Sequence, residues 1–592
     1  MISRRNYLSI TIMMGIIFFL FLFSGAAKTA LSHYEINEYA LEKTDILDAD
    51  TEAMTATDAG CVLYLGESKK MERVARQWCN YRHYQFVTTP DSEEMYTLAL
   101  IDGEHLTDEG LDAVYALYDR QVPVVFGTMP TVKMLREHTE LDDMLGITNI
   151  QKNSIALEGM TLYENFLVGG KVIYRATTKD EKKQQDLKLN LPWFILGSGT
   201  KVYMDGILPD EFDTTDAAYK PPVIWRYRTG SNTVFAVNTD FMQSDIGLGI
   251  LTAMEGELSQ YYVYPVVNTQ NILALNYPTF AKENTEQLRA LYSRDATSVL
   301  RDLVWPGIVA VSEHNHAYPS VFLSSKLDYS SNEEPVGEDL PYYLQLLREQ
   351  HGEAGISLVP WKGASVEEKL AADKAFLDAN ADEYTFQVAY AGEMSATDAV
   401  AATTGAGFDD VVGIVRDYDT TENIINRADG RVVMQVTNTG SSHTYREDLR
   451  TKSIQTLLGY SVIGQDFAKL LYPENKQDQW EKVFDRYSRY TNTYWQNYDY
   501  YDETTISEGV LRTSRYLNAD YEITTGTKGV TITSNATKKN PLYFVLKCDN
   551  AQPSRIKGGS YKKMEDGRYL IEVTKEKTVV TFMDDAELTF WR

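Results

Sequence analysis

The chain has 592 residues, a formal net charge of −27 and only three cysteines. So acidic a chain does not suit nucleic acid, which requires a basic surface, and an odd cysteine count excludes a complete disulfide framework. The length is too great for one hydrophobic core and predicts about three or four domains. We expect Cys61, Cys79 and Cys548 to be buried free thiols, with a single Cys61–Cys79 bridge as the alternative.

Residues 1–27 predict a transmembrane anchor. Arg4 and Arg5 precede an uncharged apolar run, and at about 1.5 Å per residue a helix of that length crosses a hydrocarbon core of about 30 Å. The arginines should remain cytoplasmic, which makes this a single-pass protein of the cell membrane with its bulk outside the cytoplasm. A cleaved signal peptide is the alternative, because small residues begin at Ala27.

Residues 28–57 are polar and acidic, which is typical of a stalk. Over residues 58–268, short apolar runs alternate with amphipathic helices and predict a Rossmann-like α/β layer. The dinucleotide motif is missing, since Leu65–Lys70 contains one glycine. The layer resembles a glutamine-amidotransferase-like domain without its catalytic cysteine. Within it, Pro222–Asn238 predicts a β-hairpin and Ile246–Tyr262 a closing helix.

A second series of strands and helices follows a junction at Val263–Asn268. Six or more strands with intervening helices over residues 269–502 predict a (β/α) barrel, complete or partial. Residues 503–592 turn to short alternating runs separated by turn residues, which predict a small β-sandwich. The predicted fold class is therefore α/β, with an anchor, an α/β layer, a barrel and a sandwich in chain order.

The order of these elements and two segments resemble a known superfamily. Asn271–Pro278 would be the first barrel strand, and Gly459–Asp466 leads to Trp480 just before the terminal β-domain. This arrangement resembles the polysaccharide deacetylase superfamily, in particular the deacetylase-like proteins of exopolysaccharide loci, including the Pel type. The resemblance implies a deacetylase-like barrel and a role in exopolysaccharide synthesis or modification, with the exopolysaccharide machinery as partner.

The catalytic set of that superfamily does not carry over to this chain. Active members end the first strand in paired aspartates and supply a His-x-x-x-His element, because a metal-bound water attacks the acetamide and a carboxylate takes its proton. Here the strand ends in Leu275-Asn276-Tyr277-Pro278, and none of the eight histidines forms His-x-x-x-His. We therefore expect a degenerate barrel without a cofactor. We expect a divalent metal only under the alternative hypothesis that the protein is an active enzyme.

Barrel sites gather at the carboxyl ends of the strands, and polar residues there are the candidate site. The candidate acid/base residues are Asp328, Glu393, Asp417 and Asp419, with Asp328 the strongest because it follows a clear apolar strand. The candidate sugar contacts are Tyr329, Trp361, Lys362, Arg416 and His443. Strand ends are polar in any barrel, so each of these residues also has a purely structural interpretation.

His314 and His316 form the only close histidine pair and are weak metal candidates, because His-x-His on a strand places both rings on one face. The alternative is a polar loop before the strand at Pro319. A tyrosine stripe at helical spacing between Tyr487 and Tyr501 suits either core packing or a sugar platform, and we favour core.

The leading hypothesis is a membrane-anchored, extracytoplasmic protein that binds or guides a neutral or cationic polysaccharide. The acidic surface suits such a polymer. The alternatives are an active deacetylase or glycoside hydrolase with a non-standard site, and a non-enzymatic scaffold or adhesion protein.

Overall fold

A computed structural model describes residues 60–209, 219–381, 384–526, 528–549 and 551–583. The predicted anchor and stalk lie outside these ranges. Within them, no helix combines the length and the apolar character needed to cross a membrane.

The first layer is a nine-stranded sheet with helices on it. The strands of this region are β1 (Cys61–Leu65), β2 (Gln85–Val87), β3 (Tyr96–Asp102), β4 (Val124–Thr128), β5 (Ile147–Ala156), β6 (Gly159–Leu162), β7 (Val172–Arg175), β8 (Asn190–Leu196), β9 (Thr200–Ile207), β10 (Pro222–Thr229) and β11 (Asn232–Val237). The sheet order is β2-β1-β3-β4-β11-β10-β9-β6-β7, while β5 and β8 pair separately. Going along this order, neighbouring strands are parallel from β2 as far as β11. From β11 to β7, each strand is antiparallel to its neighbour. The predicted hairpin and α/β layer are confirmed.

Three of the six described helices of the layer begin at a side-chain cap. The six are α1 (Lys69–Arg82), α2 (Asp108–Asp119), α3 (Val132–Glu137), α4 (Thr139–Leu145), α5 (Glu181–Gln184) and α6 (Ile246–Glu255). The hydroxyls of Ser68 and Thr107 accept bonds from the first turns of α1 and α2, which satisfies amides that have no partner within the helix. In α1, Met71, Val74 and Trp78 are fully buried at helical spacing and attach it to the sheet.

Strand β12 (Tyr261–Val266) corrects the prediction of a helix over Ile246–Tyr262. Helix α6 ends at Glu255, and β12 leaves the layer to pair with a strand of the terminal sandwich. The reason is the period-two pattern of this stretch, in which Tyr262, Tyr264 and Val266 face one apolar cluster and Val263 faces another.

A second nine-stranded sheet curls into a partial barrel. Its strands are β13 (Thr269–Leu275), β14 (Pro319–Leu323), β15 (Glu353–Ser357), β16 (Val388–Tyr390), β17 (Gly413–Arg416), β18 (Ile425–Ala428), β19 (Arg431–Gln435), β20 (Asn438–Thr439) and β21 (Tyr460–Asp466). The order is β18-β19-β17-β16-β15-β14-β13-β21-β20, and every pairing except β18 with β19 is parallel. The amides of Val436 and Thr437 donate to the carbonyls of Arg416 and Val462, both at 2.8 Å, so the segment after β19 joins the two ends of the parallel series.

Helices surround and fill this barrel. They are α7 (Thr285–Tyr292), α8 (Ala296–Val299), α9 (Trp305–His314), α10 (Asp339–Glu349), α11 (Val366–Asn380), α12 (Ala396–Gly405), α13 (Tyr445–Leu458), α14 (Ala468–Leu471), α15 (Trp480–Trp495) and α16 (Ile506–Leu517). The stripe on and after α15 is core, because Tyr487, Tyr494, Tyr498 and Tyr501 are buried.

Helix α16 fills the amino-terminal end of the barrel interior. A Cβ atom at Gly413, the first residue of β17, would lie 2.3 Å from a methyl of Val510, so only glycine lets the helix approach this closely. The amide of Ser507 donates to Glu353, the first residue of β15, at 2.8 Å. With its amino end filled by α16, the barrel has its polar end at the carboxyl ends of the strands. The contacts also correct the predicted domain boundary: α16 belongs to the barrel, although residues 503–592 were predicted as sandwich.

The terminal domain is a β-sandwich, as predicted. Its strands are β22 (Tyr521–Gly526), β23 (Gly529–Ser534), β24 (Leu542–Cys548), β25 (Pro553–Lys557), β26 (Gly559–Glu565), β27 (Arg568–Val573) and β28 (Lys577–Phe582). They form two four-stranded sheets, ordered β12-β24-β27-β26 and β22-β23-β28-β25. All three cysteines are buried free thiols, as expected.

Candidate functional site

Five polar side chains meet at the carboxyl end of the barrel, and we name them the mouth cluster: Asn276, Ser357, Tyr390, Asp417 and Asp466. The hydroxyl of Tyr390 donates to Oδ1 of Asp417 at 2.7 Å. Nδ2 of Asn276 donates to Oδ2 of Asp466 at 3.1 Å, and the Ser357 hydroxyl donates to Oδ1 of Asn276 at 2.9 Å. Strands β13, β15, β16, β17 and β21 each contribute one residue.

The strand register brings these residues together. Leu275 lies opposite Asp466 in the pairing of β13 with β21, so Asn276 is the next residue beyond this pair. Its backbone takes a left-handed conformation with φ of 52°, which asparagine adopts more readily than most residues. The turn aims the amide group across the end of the barrel toward Ser357 and Asp466.

The two carboxyl groups of the cluster have raised pKa values. Burial is the main cause for both Asp417 and Asp466, because it removes water from the charged form. The negative charge of Glu393 raises the pKa of Asp417 further, and that of Asp417 raises the pKa of Asp466. Within the described part of the chain neither group forms an ion pair, and the nearby charges of Arg416 and Lys469 only partly offset the cost of ionising Asp417 and Asp466.

Only two of the four predicted acid/base residues lie at this cluster. Asp417 is a member, and the exposed Glu393 is near enough to affect it. Asp419, two residues further on, accepts bonds from the amide and hydroxyl of Thr421 at 2.8 and 2.7 Å, which lowers its pKa and makes it a turn residue. Arg416 is buried and turned away, pairing with Glu422.

Asp328 belongs to a separate network. It forms an ion pair with Lys362 at 3.0 Å and accepts a bond from the amide of Ser330, and its pKa is lowered despite burial. The hydroxyl of the adjacent Tyr329 donates to Asp373 at 2.6 Å, and Trp361 packs against the outer core of the barrel. With these partners, Asp328, Tyr329 and Lys362 have a structural role: they stabilise the loops that follow β14 and β15.

The histidines lie elsewhere. His443 precedes α13, stacks on Tyr490 with ring centroids 5.9 Å apart, and has its Nε2 3.9 Å from Asp448. His314 is the last residue of α9 and His316 lies in the turn before β14, so the expected His-x-His strand is not formed. The pair lies at the amino end of β14, opposite the mouth cluster.

The donor set at the mouth does not fit the metal centre of an active deacetylase. That centre needs histidines beside an aspartate, whereas the mouth offers two carboxyls, an amide and hydroxyls. Among the residues that the structure describes, no three His, Cys, Asp or Glu side chains form a group that could hold a metal ion.

Sequence reasoning missed Asn276, Ser357, Tyr390 and Asp466 as site residues. All four carry the strand-end signal that selected the other candidates: Ser357, Tyr390 and Asp466 end β15, β16 and β21, and Asn276 directly follows β13. Applying the strand-end rule to Gly459–Asp466 would have found Asp466. Nothing in the sequence shows that Asn276 and Ser357 face each other.

The fold is similar to that of one solved structure. The crystal structure of Agd3, described as a novel carbohydrate deacetylase, aligns over 89% of this chain and 99% of its own with a TM-score of 0.53 and 10% identity. That likeness shows a deacetylase-like fold. The chain belongs to the family described as "uncharacterised protein conserved in bacteria (DUF2194)", whose model matches residues 136–570. No curated protein sequence matches it.

Two glycosidase structures align over smaller parts. An exo-β-1,4-mannosidase from Opitutaceae bacterium strain TAV5 covers 31% of this chain and 32% of its own at 13% identity. A β-galactosidase from the haloarchaeon Halorubrum lacusprofundi covers 34% and 31% at 11% identity. Both TM-scores are 0.22 and carry no argument about fold or function.

Proposed function

We propose that this protein is a membrane-anchored, extracytoplasmic component of exopolysaccharide synthesis or modification that binds polysaccharide at the mouth cluster. The deacetylase-like fold supports a carbohydrate ligand, and the apolar run of residues 1–27 supports the anchor. The observation that carries the proposal is the pair Asp417 and Asp466, two carboxyls with raised pKa values at the functional end of a barrel that form no ion pair within the described residues.

The chemistry of the mouth favours a neutral or cationic sugar. Oδ2 of Asp417 accepts no hydrogen bond from the described residues, although Oδ1 is held by Tyr390. Sugar hydroxyls are donors for such an oxygen, and the ammonium of a deacetylated hexosamine would also supply the missing positive charge. A partly deacetylated hexosamine polymer is therefore the ligand we expect.

Calorimetric titration with glucosamine oligomers tests the ligand, with N-acetylated oligomers of equal length for comparison. Asp417→Asn keeps the acceptor for Tyr390 but removes the charge, and should weaken binding of the deacetylated oligomer about tenfold or more. Asp419→Asn is the matched control, because the Asp419 carboxylate accepts bonds only from Thr421 in its own turn. Equal effects of the two changes would contradict the proposal, and absence of binding to either oligomer would favour the scaffold alternative.

The proposed role involves no metal-dependent deacetylation, because the side chains at the mouth do not match that centre. The purified protein should release no acetate from acetylated hexosamine oligomers, with or without added Zn²⁺, Co²⁺ or Ni²⁺. Metal-dependent acetate release would overturn this part of the proposal.

A second candidate is an acid/base glycoside hydrolase, which the raised pKa values of Asp417 and Asp466 favour. A protonated carboxyl would give its proton to the glycosidic oxygen, and the other carboxylate would accept a proton from the water that bonds to the anomeric carbon. Cleavage of unmodified oligomers by the wild type, lost in Asp417→Asn without loss of folding, would establish it.

A further inference from the structure

A second site of opposite charge lies between the α/β layer and the sandwich. Two adjoining clefts of about 350 and 330 Å³ share Lys201, Glu257 and Asp549. The positively charged side chains that line them come from β9, β10, β24 and β27. They are Lys201, Arg226, Arg228, Lys547 and Arg568, and we name this set the basic cleft.

Glu257 lies at the centre of the basic cleft, and both of its carboxylate oxygens already have partners. Lys201 and Arg226 contact its Oε2 at 2.8 and 2.9 Å, and Lys547 contacts its Oε1 at 2.5 Å. The hydroxyl of Tyr203 adds a bond to Oε2 at 2.6 Å. One carboxylate therefore serves three cations and can neutralise only one of them.

The remaining cations are held by neutral or distant groups. Nη2 of Arg228 donates to the backbone carbonyl of Glu257 at 2.8 Å. Arg568 donates to the backbone carbonyls of Asn165 and Phe166 and also pairs with Glu565. Backbone carbonyls orient a guanidinium without cancelling its charge, so the cleft keeps an excess of positive charge.

The openings of the cleft expose cations that a ligand can reach. The side chain of Lys201 is 50% exposed, and Arg228 is exposed. Nε of Arg226 is buried and has no hydrogen-bond partner among the described residues. Of the nearby acids, Asp566 already pairs with Lys563 at 2.6 Å and Glu565 with Arg568 at 3.3 Å, while Asp549 lines both clefts. The five cations of the cleft therefore face three acids, Glu257, Glu565 and Asp549, and the balance stays positive in a chain of net charge −27.

We propose that the basic cleft binds an anionic group of the carboxylate or phosphate type, with Lys201 and Arg228 as its direct contacts. Arginine and lysine are the side chains that recognise such oxyanions, arginine by its planar pair of donors. This site is independent of the mouth cluster, which is acidic and lies in the barrel. A polymer that carries amino sugars and acidic substituents would satisfy both sites.

Titration calorimetry tests the basic cleft with three probes, compared with one another at one ionic strength and then again at raised sodium chloride: inorganic phosphate, a galacturonic acid oligomer, and a neutral galactose oligomer of the same length. The acidic oligomer or phosphate should bind, the neutral oligomer should not, and affinity should fall as sodium chloride is raised. Binding of phosphate alone assigns the site to a free anion, and binding of the acidic oligomer assigns it to a glycan. Equal binding of acidic and neutral oligomers, or binding of neither anion, would overturn the proposal.

Arg228→Gln removes an exposed cation whose loss leaves the Glu257 ion pairs in place, and it should weaken anion binding about tenfold. Lys133→Gln is the matched control, since Lys133 is exposed on α3 and lies 3.7 Å from Glu137 only. Equal thermal stability of the two variants verifies folding. If Arg228→Gln binds the anion as well as Lys133→Gln does, the cleft is not the site.

Discussion

The mouth cluster and the basic cleft hold carboxyl groups whose pKa values are shifted in opposite directions. Desolvation by the surrounding protein raises the pKa of Asp417 and Asp466 in the mouth, although Asp417 is only half-buried and Asp466 is exposed. Glu257 in the cleft is more deeply buried, yet its pKa is lowered to about 2, because Lys547, Lys201 and Tyr203 overcome the effect of burial. Burial alone therefore does not decide the charge state of a carboxyl; the neighbours do.

The difference separates a structural carboxylate from a functional one. Glu257 joins β9, β10 and β24, so its charge stabilises the contact between two domains. Asp417 and Asp466 form no ion pair within the described residues and have raised pKa values, which is typical of residues retained for binding or catalysis. Four predictions break or sharpen this comparison.

The largest effect is expected from Glu257→Gln. Removing the charge leaves Lys547 and Arg226 buried without their counter-ion, and we expect a loss of about 3–5 kcal/mol in the free energy of unfolding. Chemical denaturation measures it. Glu158→Gln is the control, because the Glu158–Arg175 pair is surface-exposed on both sides and should cost less than about 1 kcal/mol. Equal losses would show that Glu257 is not a structural charge.

The structural role of the Glu257 charge should also be apparent in the pH dependence of the free energy of unfolding. The Glu257 carboxyl has a pKa of about 2 when folded and an ordinary value of 4.5. Its ionised form therefore stabilises the fold above pH 4.5, and this contribution, about 3 kcal/mol, is lost as the pH falls toward 2. Denaturation midpoints measured across this range should fall less steeply in Glu257→Gln. Identical slopes for the variant and the wild type would contradict the assignment.

In the mouth, Asn276→Asp should destabilise at neutral pH by about 1–3 kcal/mol. The change removes the donor to Asp466 and adds a third carboxylate beside it, so the loss should shrink as the pH is lowered. Asn153→Asp is the control, because Asn153 is exposed and its Oδ1 accepts a bond from Arg136 at 2.7 Å that a carboxylate keeps. A loss for Asn276→Asp that does not depend on pH would be inconsistent with a strained carboxyl cluster.

The smallest effect is expected from Asp328→Asn. Its partner Lys362 is 60% exposed, so the ion pair contributes less than about 1 kcal/mol, and sugar binding should not change. Calorimetry with the glucosamine oligomer checks it. Loss of binding or of turnover would move the site from Asp417 to Asp328, as the sequence first suggested.

The sequence predicts the layers of this fold well because each depends on local pattern. Buried strands such as Pro319–Leu323 and the hairpin of β10 and β11 are apparent from apolar runs and turn residues. Strand β12 was missed because its partner, β24, lies about 280 residues further along the chain. Its tyrosines suit a helix as well as a strand until that partner is known.

The site was predicted only in part for a related reason. The strand-end rule identifies Asp417 and Asp328 equally, since both follow apolar strands. What distinguishes them is the partner each acquires in space, Lys362 for Asp328 and no ion-pair partner among the described residues for Asp417. Such pairings depend on register and on loop conformation, which a single sequence does not specify.

The most direct test of the account is glucosamine-oligomer binding measured by calorimetry between about pH 4 and 6, where the amino groups of the oligomer stay largely protonated. The wild type should bind more tightly as the pH rises through the raised pKa of Asp417 and Asp466, because the ionised carboxyls attract the ammonium groups. Asp417→Asn should flatten this dependence and Asp419→Asn should preserve it. Binding that is independent of pH, or equally altered in both variants, would contradict the assignment of the mouth cluster as the sugar site.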